Sequence, residues 1–248
     1  MKRIILAVVV VAMAQSVEAQ KITPDGAALS QVYWDSAGIA DTLGVSWQVE
    51  GAPSLASGAF GYLAGGTGFG TSDFWYESPY SVFDFTAAEC AGSGCGSPSF
   101  TAVLAFTTSG ATGTRFLLSD VVAGNGDGWY LLVSTPRKVQ FRAFGLLDSA
   151  NVYATDTQGL DVGTGLQVIC FGLDADLTPR LKANGRAMVS GEPGSGFVPS
   201  YGDSFIGIHD GFNTAWRPAA WETYFEVYLT RTPITSDLCE SLESEVRS

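Results

Sequence analysis

The sequence predicts an all-β fold in which two antiparallel sheets stack as a sandwich, followed by one short C-terminal helix. Short apolar and β-branched runs recur between clusters of Gly, Asn and Asp, which is how antiparallel strands and their turns read. Thirty glycines suit many tight turns, and helical periodicity is almost absent before the C-terminal end. A chain of 248 residues fits one large domain, because all-β sandwiches commonly reach roughly 200–250 residues. About eleven strands in one domain must stack or close on themselves, since open edges and bare apolar faces are both unfavourable in water.

Residues 1–19 read as an export signal: Lys2 and Arg3, then the apolar run from Ile4 to Ala14, then Val17-Glu18-Ala19 as the cleavage site. That run is shorter than the ~20 apolar residues needed to span a bilayer. The expectation is a secreted, periplasmic or surface-bound protein with no membrane insertion. Residues 20–54 are read as an N-terminal arm or extra strand, and 55–248 as the sandwich. Strands are expected near 45–49, 60–63, 81–85, 100–107, 114–121, 129–134, 138–144, 166–173, 180–183, 204–209 and 221–230. Gly124-Asn125-Gly126-Asp127-Gly128 and Asn184-Gly185 supply turn residues that accept positive φ. From Lys138 to Phe144 polar and apolar residues alternate strictly, so one face is wet and the other dry. The runs at 166–173 and 205–208 are apolar throughout, as in strands covered on both faces. Thr235 or Ser236 can cap a helix in which Leu238, Leu242 and Val246 recur every four residues.

Four cysteines in an oxidising compartment allow three pairings, and the sequence does not choose among them. Cys90 and Cys95 enclose small residues and can close a tight loop. Cys170 lies in a strand-like run and Cys239 near the C-terminus, so that a bond between them would tie the chain end to the sheet. Their spacings do not resemble a zinc site.

The order of these elements resembles the laminin-G-like, concanavalin A-like jelly roll. Ser99-Phe100-Thr101-Ala102-Val103-Leu104-Ala105-Phe106 looks like its opening strand, and Gly128-Trp129-Tyr130-Leu131-Leu132-Val133 with Lys138-Val139-Gln140-Phe141 like its central hairpin. Gly165-Leu166-Gln167-Val168-Ile169-Cys170 followed by Arg180-Leu181-Lys182-Ala183-Asn184-Gly185-Arg186 is similar to its pair ending in an Asn-Gly turn. Tyr224-Phe225-Glu226-Val227-Tyr228-Leu229-Thr230 and the helix resemble its closing strand and last turn. The likeness covers roughly Leu55 to Leu242 and implies a jelly-roll sandwich whose relatives include lectins, calcium-holding rim loops and sugar-cleaving enzymes.

Composition excludes several functions. Thirteen basic against 25 acidic residues give a net charge of −12, which argues against a nucleic-acid partner. His209 is the single histidine, and adjacent Asp210 falls on the opposite strand face, so no serine-hydrolase triad is expected. Glu222 and Glu226, four apart, share a strand face with Tyr224 at period two. The glycosidase pattern of the jelly roll has an Asp where Tyr224 stands, so no catalytic residue is assigned and an enzyme is disfavoured.

Calcium is the one cofactor with candidates, at Asp120 and Asp127 first, with further loops at Asp174, Asp176 and Asp210; such residues are also ordinary turn formers. For a sugar, aromatic rings and fixed polar groups are needed. The loop carrying Asp210, Asn213, Trp216 and Arg217 is the favoured ligand-binding candidate, ahead of the Trp75, Tyr76 and Tyr80 cluster. The expectation is a non-catalytic carbohydrate- or surface-binding module whose partner is a glycan or glycosylated surface. The rival is a structural or adhesive envelope protein making protein contacts, and a polysaccharide hydrolase or lyase ranks third.

Overall fold

The structure, a computed structural model, describes residues 30–35, 38–42, 46–50, 54–58, 61–65, 75–77, 99–108, 114–121, 128–134, 137–143, 152–160, 163–194, 203–207 and 222–247. Among them the strands are β1 (Ser30–Asp35), β2 (Gly38–Asp41), β3 (Gln48–Glu50), β4 (Ser54–Gly58), β5 (Gly61–Gly65), β6 (Trp75–Glu77), β7 (Phe100–Thr108) and β8 (Arg115–Val121). There follow β9 (Gly128–Ser134), β10 (Lys138–Ala143), β11 (Val152–Asp156), β12 (Gly163–Leu173), β13 (Pro179–Ala183), β14 (Val189–Ser190), β15 (Asp203–Ile206), β16 (Glu222–Thr230) and the helix α1 (Ser236–Arg247). The strand expected at 81–85 lies outside the described residues.

The strands form the two-sheet antiparallel sandwich that the sequence predicts. A nine-stranded sheet runs β14-β13-β12-β7-β16-β1-β2, with β5 joining β16 to β4, and a seven-stranded sheet runs β11-β10-β9-β8-β15-β6-β3. Alternation along each strand sends one set of side chains into the space between the sheets. Phe100 and Phe171 come from the first sheet, and Trp129 and Phe141 from the second. Their ring centroids lie 5.4 Å (Phe100–Trp129), 5.5 Å (Trp129–Phe171) and 5.2 Å (Phe141–Phe171) apart. All four are buried, and each such ring pair adds about 0.5–1.5 kcal/mol beyond the area it buries.

Residues 30–41, within the stretch read as an arm or extra strand, form the β1–β2 hairpin. β1 pairs with β16 from Ser30 opposite Leu229 to Tyr33 opposite Glu226. Val32 and Trp34 enter the central core, which makes the hairpin part of the sandwich. Also beyond the predicted strands are β4, β6, β11 and β14, all of five residues or fewer.

β12 is covered on both faces, as its apolar run predicts. Ile169, Phe171 and Leu173 face the inter-sheet core, while Leu166, Val168 and Cys170 face outward beneath α1. Leu238, Cys239, Leu242 and Val246 complete this second core with Val103, Ala105 and Tyr228. Thr235 is the N-cap: its Oγ1 accepts the Leu238 N–H at 3.2 Å. Asp237 in the first turn and Arg247 in the last complement the helix dipole. Cys170 and Cys239 form a disulfide with their Cα atoms 5.7 Å apart, while Cys90 and Cys95 lie outside the described residues. After β13, Asn184 (φ 51°) and Gly185 (φ 71°) make the tight turn expected there, closed by Arg186 N–H to Ala183 O at 3.1 Å. No helix among the described residues is long and apolar enough to cross a membrane.

Candidate functional site

The outer face of the seven-stranded sheet, at its β9–β11 end, carries a cross-linked group of polar and aromatic side chains. Its origin is the alternation of β10. Val139, Phe141 and Ala143 are buried in the core, which leaves Lys138, Gln140 and Arg142 on the other side. Register then sets their neighbours: Arg142 stands between Tyr130 of β9 and Tyr153 of β11, and Gln140 between Leu132 and Thr155.

These rows are cross-linked. Gln140 Nε2 donates to Thr155 Oγ1 at 2.8 Å, and Arg142 Nε donates to Gln140 Oε1. Arg142 Nη1 donates to the Tyr130 hydroxyl at 3.2 Å. The guanidinium carbon also lies 5.9 Å from the Tyr130 ring centroid and 5.8 Å from that of Tyr153, within cation–π range. Phe116 packs edge-on against Tyr130 at 5.1 Å. Burial pushes the Tyr130 phenol up, and the charge and hydrogen bond of Arg142 only partly offset it, so Tyr130 stays a neutral hydroxyl. Tyr153 is 53% exposed, whereas Tyr130 is buried, so the row runs from an anchored ring to an open one.

The position of Tyr153 depends on a close backbone approach. A Cβ at Gly191 would sit 2.0 Å from the Tyr153 carbonyl oxygen and 2.8 Å from Pro179 Cγ, so only glycine lets this segment lie against β11. Chemically, the face offers an exposed ring, an amide, a threonine hydroxyl and a guanidinium in fixed mutual geometry. Among its described residues there is no nucleophile–base pair.

Asp210, Asn213, Trp216, Arg217 and Asp127 lie outside the described residues. Asp120 is fully buried, and its carboxylate accepts the Ser204 hydroxyl from β15. Among the described residues no group of three or more His, Cys, Asp or Glu comes together as a metal site. Asp174 shapes the β12–β13 turn, accepting the N–H groups of Asp176 and Thr178 at 2.9 Å each and Arg180 Nε at 2.6 Å. Burial raises its pKa, but these bonds and the Arg180 charge outweigh burial and hold the carboxyl below the usual range. An open cleft of about 440 Å³ lies beside this turn at the start of α1, lined by Asp174, Arg180, Met188, Ile234 and Ser236. The Asp174 and Arg180 heads in it are committed to each other and to the turn.

Glu222 and Glu226, expected to share a strand face, stand on either side of an irregularity in β16, and the Glu222 side chain lies outside what the structure describes. A bulge interrupts β16 between Tyr224 and Glu226, so Glu222 pairs with Thr108 and Glu226 with Ala105. Positions four apart in sequence therefore stand opposite β7 residues three apart, so regular period-two pairing does not run unbroken from Glu222 to Glu226. Glu226 instead accepts the Tyr228 hydroxyl, beside Gln31 of β1.

Tyr153 escaped the sequence reading because β11 did. The signal was present in Val152-Tyr153-Ala154-Thr155, where buried and outward positions alternate among mostly good strand formers, but the run is only five residues long and ends on Asp156.

No family model matches the sequence, and no curated protein does. Solved structures do resemble the fold. The binding domain of botulinum neurotoxin serotype D/C aligns with a TM-score of 0.60 at 10% identity, over 87% of this chain and 51% of that one. Botulinum neurotoxin DC binding domains in complex with SialylT and with rat synaptotagmin II each align with a TM-score of 0.59 at 10% identity, over 87% of this chain and 50% and 51% of theirs. The chain thus spans about half the length of these neighbours, and at this identity the likeness carries the fold alone.

Proposed function

We propose that the chain is an exported, non-catalytic module that binds a carbohydrate or glycosylated surface through the outer face of β9, β10 and β11. The observation that carries this is Tyr153, an open ring beside a guanidinium, an amide and a hydroxyl held in place by one another. A sugar presents an apolar face for a ring and hydroxyls for fixed polar groups, which is the complement of that arrangement. The Trp216 loop is the second proposed contact. Among the neighbours, one binding domain was solved with SialylT and another with rat synaptotagmin II, so this sandwich occurs in proteins that bind partners of both kinds. Export through residues 1–19 is supported by the Cys170–Cys239 disulfide, since such bonds persist in oxidising compartments.

The test is a glycan array probed with the wild type, Tyr153→Ala and Trp216→Ala. Binding that falls at least about tenfold in Tyr153→Ala, with the melting temperature unchanged, supports the reading, because losing a stacked ring removes about 1–2 kcal/mol. Absence of any bound glycan, together with self-association in solution, establishes the structural or adhesive rival instead. Release of product from a polysaccharide, abolished in Glu222→Gln, overturns the non-catalytic reading.

A further inference from the structure

We infer that the ligand of the β9–β11 face is an acidic glycan, a polysaccharide whose sugars bear carboxylates. The inference rests on the binding-module reading and adds the charge of the ligand. Its source is an imbalance that the whole-chain charge of −12 conceals. Four other cations of the described residues meet carboxylates: Arg180 with Asp174 at 2.6 Å, Lys182 with Glu240 at 2.9 Å, Arg247 with Glu243 at 3.0 Å, and Arg186 with Asp156. Arg142 differs. Its contacts are the Gln140 carbonyl oxygen, the Tyr130 hydroxyl and two aromatic rings, all uncharged, and Nη2 donates to none of the described residues.

The described residues of β9, β10 and β11 add no unpaired acid. β9 and β10 contain neither Asp nor Glu. The one acid of β11, Asp156, is buried and bonded to Arg186. Lys138 adds a second cation on the Arg142 side of β10, opposite Ser134. A guanidinium is charged at any physiological pH. Holding one half-covered against a buried phenol, without a counter-charge among the described residues, has a desolvation cost that an incoming anion recovers. Neutral sugars need only amides, hydroxyls and a ring, all of which are present without it. Carboxylate is an anion that the planar N–H groups of arginine fit, and it is the one that sugars themselves bear; Tyr153 lies beside the guanidinium for the sugar ring. The local cations act over ~8 Å at physiological salt, so the distant acidic surface does not cancel them.

The test compares a polyuronate oligosaccharide with the same oligosaccharide after its carboxyl groups are reduced to alcohols, by calorimetry, alongside dextran sulfate and a neutral glycan panel. The wild type is expected to bind the uronate about tenfold or more tighter than its reduced form, since a hydrogen bond to a charged group contributes about 1.5–3 kcal/mol. That preference should vanish in Arg142→Gln, persist in part in Arg142→Lys, and weaken as salt rises, with all three proteins melting alike. Equal binding of the two forms, or binding of a neutral glycan alone, overturns the acidic assignment and leaves the binding module standing. Dextran sulfate binding as tightly as the uronate overturns the choice of carboxylate. Binding to nothing on the panel overturns the module itself.

Discussion

The two outer surfaces of the sandwich obey the same pleat and end in opposite states. On the nine-stranded sheet, outward positions carry Val103, Ala105, Leu166, Val168 and Cys170, and α1 lies over them. On the β9–β11 end of the other sheet the outward positions carry Gln140, Arg142, Thr155 and Tyr153, with Tyr153 open to solvent. Strand geometry is common to both, so the difference lies wholly in which side chains occupy alternate positions. Where they are apolar the chain covers them, and where they are polar and cross-linked Tyr153 stays open to solvent.

If that contrast is right, damage to the covered face should appear as lost stability. The largest effect is expected from replacing Cys170 and Cys239 together by Ala. Their bond closes a loop spanning a sequence separation of 69, and constraint of the unfolded chain on that scale contributes about 4 kcal/mol. Urea denaturation should show the midpoint falling by that equivalent, with α1 helicity lost first. A loss below about 1 kcal/mol would mean that Leu238, Leu242 and Val246 hold the helix unaided.

Gly191→Ala should act on both properties. Its new Cβ would collide with the Tyr153 carbonyl oxygen, and forcing β11 aside is expected to cost about 1–3 kcal/mol. Because Tyr153 moves with β11, glycan binding should fall as well. A variant that loses stability and binds normally would separate Tyr153 from the site.

Much of this architecture is legible in the sequence, and the exceptions share a cause. β7, β9, β10, β12 and β16 announce themselves because each is long enough for alternation or a continuous apolar run to stand out. β14 has two residues and exists only because Asn184-Gly185 turns the chain back onto β13. The wet face of β10 is readable, but the row it forms is not. Arg142 meets Tyr153 through register across a long connection, and register is set by tertiary packing. The bulge in β16 is hidden in the same way. Pairing of Cys170 with Cys239 likewise needed the helix to be placed over β12.

A smaller, pH-dependent effect belongs to the β12–β13 turn beside α1. The Asp174 carboxyl has a folded pKa below its unfolded value, so its contribution is present above the unfolded pKa of about 3.9 and is lost as pH falls through the folded one. Asp174→Asn should therefore be less stable than the wild type at neutral pH, with the gap closing below about pH 4. A gap independent of pH would assign the loss to amide geometry instead of charge.

The smallest expected change in stability is also the most informative. Tyr153→Ala removes a ring that is 53% exposed and touches Arg142 through one face, so the melting temperature should move little, within about 0.5 kcal/mol. On the covered side an equivalent truncation, Leu242→Ala, removes a buried side chain and should lose about 2–5 kcal/mol. The pair isolates the contrast: one side chain holds the fold, and the other is free to meet a ligand. If Tyr153→Ala destabilised the protein as much as Leu242→Ala, the ring would be a structural cover for Arg142, and the open face would be a second core edge with no binding role.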